Sequence, residues 1–143
     1  MPATAPEIAR RTLLMALAAP LLATTEQEVL ELFTALASAL SEGNGLAFLG
    51  HFDHSMPDYE QFASNILALT EQNEITSAID VITDEGDDRT RRVAVDWIVQ
   101  IRSRAESGPL VRRREIVKCR LEREKKRWKV TSLAPLSLFA PPT

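Results

Sequence analysis

The chain of 143 residues has a single cysteine, Cys119, so it can form no intrachain disulfide, no cysteine-cluster zinc site and no Cys-x-x-Cys redox pair. Cys119 sits among apolar strand residues and is expected to be a small buried hydrophobe. No apolar run reaches the roughly 20 residues that a membrane-spanning helix needs. Only two histidines are present, His51 and His54, and no third ligand of metal-site spacing accompanies them. No metal site and no cofactor is therefore expected. Basic residues are missing from a long stretch: between Thr12 and Asp88 there are fourteen acids and no lysine or arginine.

What is present is ordinary for one globular domain: 45% hydrophobic and 26% charged residues, enough for one core. The net charge of -3 conceals a division, because Arg89 to Lys129 holds fifteen bases against five acids. Acidic helices are expected to lie against a basic sheet so that their fields largely cancel. The alternative is a sheet face that stays basic and meets an acidic partner. The arginines lack interleaved aromatics and any nucleic-acid reader motif, so no nucleic-acid partner is expected.

Residues 1 to 23 read as an export signal: a short leader, the pair Arg10-Arg11, then the apolar run Thr12 to Ala23, which has the length of a signal core. The stretch Ala9 to Met15 resembles a twin-arginine export signal, although Ala9 and Glu7 depart from its usual pattern. Release of this segment would leave a periplasmic or extracellular protein; without it the chain is cytoplasmic. Residues 24 to 143 form the domain proper.

Thr25 and Glu28 have the spacing of a capping box and predict a helix start. Val29, Leu32, Phe33, Leu36, Ala37 and Leu40 form its apolar stripe, and Gly43-Asn44-Gly45 ends it. A short second helix carries Leu46, Phe48, Leu49 and Phe52. Ser55, with Pro57 and Asp58 after it, predicts the start of a third, with Tyr59, Phe62, Ala63, Ile66 and Leu69 on its apolar side. Between the last two helices lie His51, Asp53 and His54, an arrangement that fits either a surface turn or an acid-base group.

From Ile75 onward the pattern changes to alternation, the signature of strands. Val93, Val95, Trp97, Val99, Ile101 and Ser103 share one side of the second strand, and Ala94, Asp96, Ile98, Gln100 and Arg102 the other. In the third strand Val111, Val117, Cys119 and Leu121 face the core, while Arg112, Arg114, Ile116, Lys118 and Arg120 face outward. The same parity places Arg113 and Glu115 on the apolar side, where charges are costly unless paired or wetted. They are candidates for the mouth of a ligand pocket, with Trp97, Ser103 and Tyr59 as neighbours. Trp128, Val130 and Ser132 are expected to oppose Lys129, Thr131 and Leu133 in the fourth strand. Leu136, Leu138 and Phe139 are expected to cover a sheet edge or reach a second subunit.

Three helices followed by about four long strands, the His51-Phe52-Asp53 turn and the closing run Trp128 to Leu136 resemble the nuclear transport factor 2-like superfamily, including SnoaL-like and ketosteroid isomerase-like proteins. The resemblance implies an α+β, cystatin-like cone: three N-terminal helices packed in the concave face of a curved, about four-stranded antiparallel sheet. It also implies a small hydrophobic ligand at the open end, dimerisation through the sheet and, in the enzymes, an aspartate base or His-Asp pair with a tyrosine or second acid. Here Asp53, His51 and Tyr59 are the positional candidates for isomerase, hydrolase or dehydratase chemistry. The strand pair that usually follows the turn is absent, and Asp96 has the wrong parity to face the core. The leading expectation is a noncatalytic, exported, dimeric domain that binds a small apolar molecule. A SnoaL-like or ketosteroid isomerase-like enzyme and a protein-interaction module with a basic sheet face are the alternatives.

Overall fold

The computed structural model describes residues 24–105 and 108–142. The expected export segment, with Arg10 and Arg11, lies outside the described residues. Within them, no helix is long and apolar enough to cross a membrane. Three α-helices come first: α1 (Thr25–Ser41), α2 (Gly45–Leu49) and α3 (Tyr59–Gln72). Four strands follow in an antiparallel meander, β1 (Asn73–Gly86), β2 (Thr90–Ser103), β3 (Leu110–Glu124) and β4 (Arg127–Ala134), adjacent in that order. A short 3-10 helix, Leu136–Phe139, ends the domain. The helices lie on the concave side of the curved sheet, as expected of an α+β cone.

Two helix starts differ from the sequence expectation. The capping box of α1 uses Thr24 and Gln27, not Thr25 and Glu28. Glu28 is engaged elsewhere: its Oε1 accepts from Arg123 Nη2 at 2.6 Å and from Trp128 Nε1 at 3.3 Å. For α3, Ser55 is no cap, because its amide and hydroxyl both donate to Asp53 Oδ1. The helix begins after Asp58, which sits in the left-handed region at φ 61°. Gly43, at φ 71°, ends α1 as the sequence predicts, and Asn44 then caps α2 by accepting from the Ala47 amide.

Alternation along β2 places Val93, Val95, Trp97, Val99 and Ile101 in one core with Phe33, Leu36, Phe48, Phe62 and Ile66 from the helices. The Trp97 indole N–H donates to Ser77 Oγ at 2.8 Å, the partner a buried indole needs. In β4 a bulge changes the expected parity. Arg120 faces Ser132 while the next residue, Leu121, faces Val130, which leaves Thr131 as the extra residue. Leu133 therefore turns inward and is buried, although simple alternation from Trp128 puts it outside. The His51–Asp53 turn is stitched to the same strand, since Val130 N–H donates to the His51 carbonyl and Asp53 N–H to the Val130 carbonyl, both at 2.9 Å. The acidic and basic halves meet as expected: Arg123 pairs with Glu28, and Arg91 with Asp84 and Glu26.

Candidate functional site

β2 pairs with β3 so that Trp97 lies opposite Glu115 and Val99 opposite Arg113. β4 stops at Ala134, opposite Lys118, so β3 runs past it and its first half has no neighbour on that side. The chain then turns at Pro135 and lays the 3-10 helix against α3 and β3. Phe139 is 0% exposed, with its ring edge-on to Trp97 at 5.0 Å between centroids, edge-on to Phe62 at 5.7 Å and tilted against Phe48 at 5.8 Å. Leu138 and Phe139 thus complete the chain's own core, whereas the sequence expectation sent this tail to an edge or a second subunit. A fully buried side chain of this size gains from lost apolar surface and from ring-edge contacts of about 0.5–1.5 kcal/mol each.

Arg113 points inward, as its parity requires, and its Nη1 donates to the backbone carbonyls of Leu138, at 2.9 Å, and Ala140. No carboxylate lies within ion-pair distance of Arg113 among the described residues. Glu115 is exposed. Tyr59, at the start of α3, stacks on His54 with ring centroids 4.6 Å apart in a surface cleft with Asp58 and Gln61. Ser103 lies in another cleft, with Asn73, Pro109, Val111 and Pro142. Trp97, Arg113, Glu115, Tyr59 and Ser103 therefore share no single cavity: Trp97 and Arg113 meet through the tail, and the others stand apart.

His51, Asp53 and Tyr59 make no hydrogen bond to one another. The Asp53 carboxylate is spent on the amide and hydroxyl of Ser55, which hold its pKa below the usual carboxylate range. His51 is half-buried in a cleft with Glu31, Ala35 and Arg127. Burial pushes its pKa down, and the charges of Arg127 and Lys129 add to the shift. Both shifts lower the basicity of the group concerned. In the core, burial pushes the Cys119 thiol up to about 12, which keeps it protonated and inert.

The outer sheet face is of mixed character. Ile116 is 50% exposed and Ile98 partly so, with Ala78 opposite Ile98 and Asp96 opposite Ile116 in the register. Asp96 takes a two-pronged bond from Arg114, at 3.0 and 2.6 Å, which lowers the pKa of the acid and raises that of the base. Over Ala94 the longer side chains of Glu85, Arg92, Lys118 and Arg120 frame an open trough of about 430 Å³.

A conserved protein from Planctomyces limnophilus superposes with a TM-score of 0.68 over 76% of this chain and 91% of its own, at 8% identity. A nuclear transport factor 2-like superfamily protein from Salmonella enterica serovar Typhimurium gives 0.63 over 76% and 87%, at 13% identity. The chain has the nuclear transport factor 2-like fold. A type 2 hexachlorocyclohexane dehydrochlorinase shares that fold, with a TM-score of 0.57 over 74% and 80%, at 11% identity. No protein-family model and no curated protein matches the chain by sequence. Within the nuclear transport factor 2-like fold such different proteins share a backbone and little else, so function rests on the side chains described above.

Three features of this fold were missed in the sequence. Arg91 is buried on the core side of β2 and is bound by Asp84 at 2.6 Å and by the Asp87 carbonyl at 2.9 Å. Its odd parity, shared with Val93 and Val95, was the available signal. The Glu28–Arg123–Trp128 cluster joins α1 to β3 and β4, with the guanidinium 4.6 Å from the indole centroid. The docking of Phe139 in the core had no local signal, because a short apolar tail reads alike wherever it docks.

Proposed function

We propose that this chain is a noncatalytic nuclear transport factor 2-like domain that works by association, pairing with a second copy through the outer face of its sheet. The observation that carries the reading is how charge and apolar surface are laid out on that face. Ile98 and Ile116 lie near its middle; outward acids Glu74, Asp80 and Glu85 line β1, and outward bases Arg112, Arg114, Lys118 and Arg120 line β3. A two-fold axis running along β2 would set the β1 side of one copy over the β3 side of the other, so each acidic row would meet a basic row, with Ile98 and Ile116 between them. The enzymatic alternative asks Asp53, His51 and Tyr59 to act on one substrate, and they face three different environments. A small apolar ligand in the cone would need the room that Phe139 fills.

Static light scattering tests the pairing. The purified domain is expected at twice the mass of one chain, with Ile116→Asp shifting it to a single chain and added salt weakening the pair. Wild-type protein that stays at one chain mass up to high micromolar concentration overturns the proposal. Export is part of the same reading, on the strength of Arg10-Arg11 and the apolar run after them. Mass spectrometry of protein from its native host is expected to find a terminus near Thr24; an intact Met1 or Pro2 rules export out.

A further inference from the structure

We infer that the trough over Ala94, on the outer face of the sheet, is a binding site for a small sugar phosphate. Its walls come from one chain, so the inference goes beyond pairing through the same face and does not rest on it. The first observation is charge. Arg92 lies directly opposite Arg120 across β2 and β3, and Lys118, opposite Ala94, is diagonal to Arg92 and next to Arg120 on the same face. Like charges directly opposite on paired strands repel, and a bound anion would relieve that repulsion. Neither Arg92 nor Lys118 has a carboxylate within ion-pair distance among the described residues, and Arg120 reaches only the exposed Glu122, at 3.5 Å. Three cationic donors on one spot suit the three oxygens and double charge of a phosphomonoester.

The second observation is that both flanking strands break register and thereby put a hydroxyl on this trough. In β1 the pairing jumps from Val81 opposite Val95 to Thr83 opposite Ala94, so Ile82 is the extra residue. Val81 packs against the core, and regular alternation would send Thr83 there too; the bulge turns it outward. In β4 the bulge at Thr131 does the same for Ser132, which comes to lie opposite Arg120. Thr83 and Ser132 line the trough from its two ends, and with strands about 4.8 Å apart the way between them is about 14 Å, longer than a bare phosphate. The two ends differ in chemistry. Arg92, Lys118, Arg120 and Ser132 offer donors to a phosphate, whereas Thr83 and Glu85 on β1 offer acceptors to the hydroxyls of a sugar. The Ala94 methyl between them suits the C–H face of the ring.

Titration calorimetry at pH 8, where a phosphomonoester is doubly charged, tests the site with glucose 6-phosphate, inorganic phosphate and glucose. The wild type is expected to bind glucose 6-phosphate about ten-fold more tightly than inorganic phosphate, and glucose alone not at all. Arg92→Gln and, separately, Ala94→Glu, which sets a carboxylate on the floor, should each weaken glucose 6-phosphate by about ten-fold or more. Arg112→Gln removes a base from the same face outside the trough and should change binding by less than about two-fold. A loss equal to that of Arg92→Gln would reveal diffuse attraction and overturn the site, as would a cooperatively melting wild type that binds neither phosphate. Glu85→Ala is expected to bring glucose 6-phosphate down to the level of inorganic phosphate. An unchanged preference in that variant, or none in the wild type, overturns the sugar. Light scattering on the same samples keeps this inference apart from pairing. Binding at the mass of one chain sustains the site and overturns the pair, and twice that mass without binding does the reverse.

Discussion

The sheet shows two faces made from alternating residues of the same strands. On the concave face of β2 and β3 lie Val93, Val95, Trp97, Val117 and Leu121, all buried and in close contact with the helices. On the outer face lie Arg92, Ile98, Arg114, Ile116 and Lys118, exposed or partly so, with Arg114 paired to Asp96 on the same face. A substitution inside is felt as lost packing, at roughly 2–5 kcal/mol for a large residue cut to alanine. A substitution outside touches the stability of one chain by about 0.5 kcal/mol or less. Stability is thus concentrated on the inside, and the outside is free to carry recognition. Two charges on the inner face are satisfied from within the chain, Arg113 by the tail carbonyls and Arg91 by Asp84 and the Asp87 carbonyl.

Five experiments would break or sharpen that contrast. Phe139→Ala should have the largest effect, lowering the unfolding free energy by about 3–5 kcal/mol in chemical denaturation; a loss under 1 kcal/mol would mean the tail is not part of the core. Arg91→Ala should cost about 3 kcal/mol in the same measurement, because it strands Asp84 inside the fold and gives up the bonds to Asp84 and Asp87. Acidification should come next. Burial holds His51 below its ordinary 6.5, so the unfolded chain takes up that proton first and stability falls as pH drops through 6.5. Glu28, held below its ordinary 4.5 by Arg123, adds a further loss as pH falls below 4.5. His51→Gln should remove the upper part of this pH dependence and leave the lower part, as followed by thermal melting; an unchanged profile would show that His51 is not buried as described. Cys119 should resist a thiol reagent in the native state and react once unfolded, since burial keeps the thiol protonated. Smallest in stability is Ile116→Asp, at about 0.5 kcal/mol per chain, yet it should have the largest effect on mass in solution.

Much of the inner face could be read from the chain, because alternation in β2 is unbroken and every side chain from Arg91 to Ser103 keeps its parity. Reading failed where geometry inserts a residue. Thr131 bulges out of β4 and reverses the facing of Leu133, and a bulge has no mark in composition. The helix caps failed for a related reason: Thr24 and Thr25, or Gln27 and Glu28, are equivalent by spacing, and the choice fell to the distant partners Arg123 and Trp128 that engage Glu28. Among the candidate site residues, inward parity for Arg113 was legible, but its partners were not, since the carbonyls of Leu138 and Ala140 lie about 25 residues further along the chain. Asp53 read as a candidate base from its place in the turn, and the Ser55 bonds that hold it ionised follow from local backbone shape.

By itself, the sequence determined the order of helices and strands, the two periodicities that sort side chains between core and surface, the separation of acidic from basic segments, and the inertness that a lone apolar-flanked cysteine implies. These depend on neighbours within a few residues, where local sterics and hydrophobic spacing decide. Only the tertiary structure decided which charged groups are neutralised, by which partners, and what fills the cone, because those contacts close over long loops. There the apolar surface that Phe139 removes from water, together with the carbonyls it offers to Arg113, settles where the tail must lie.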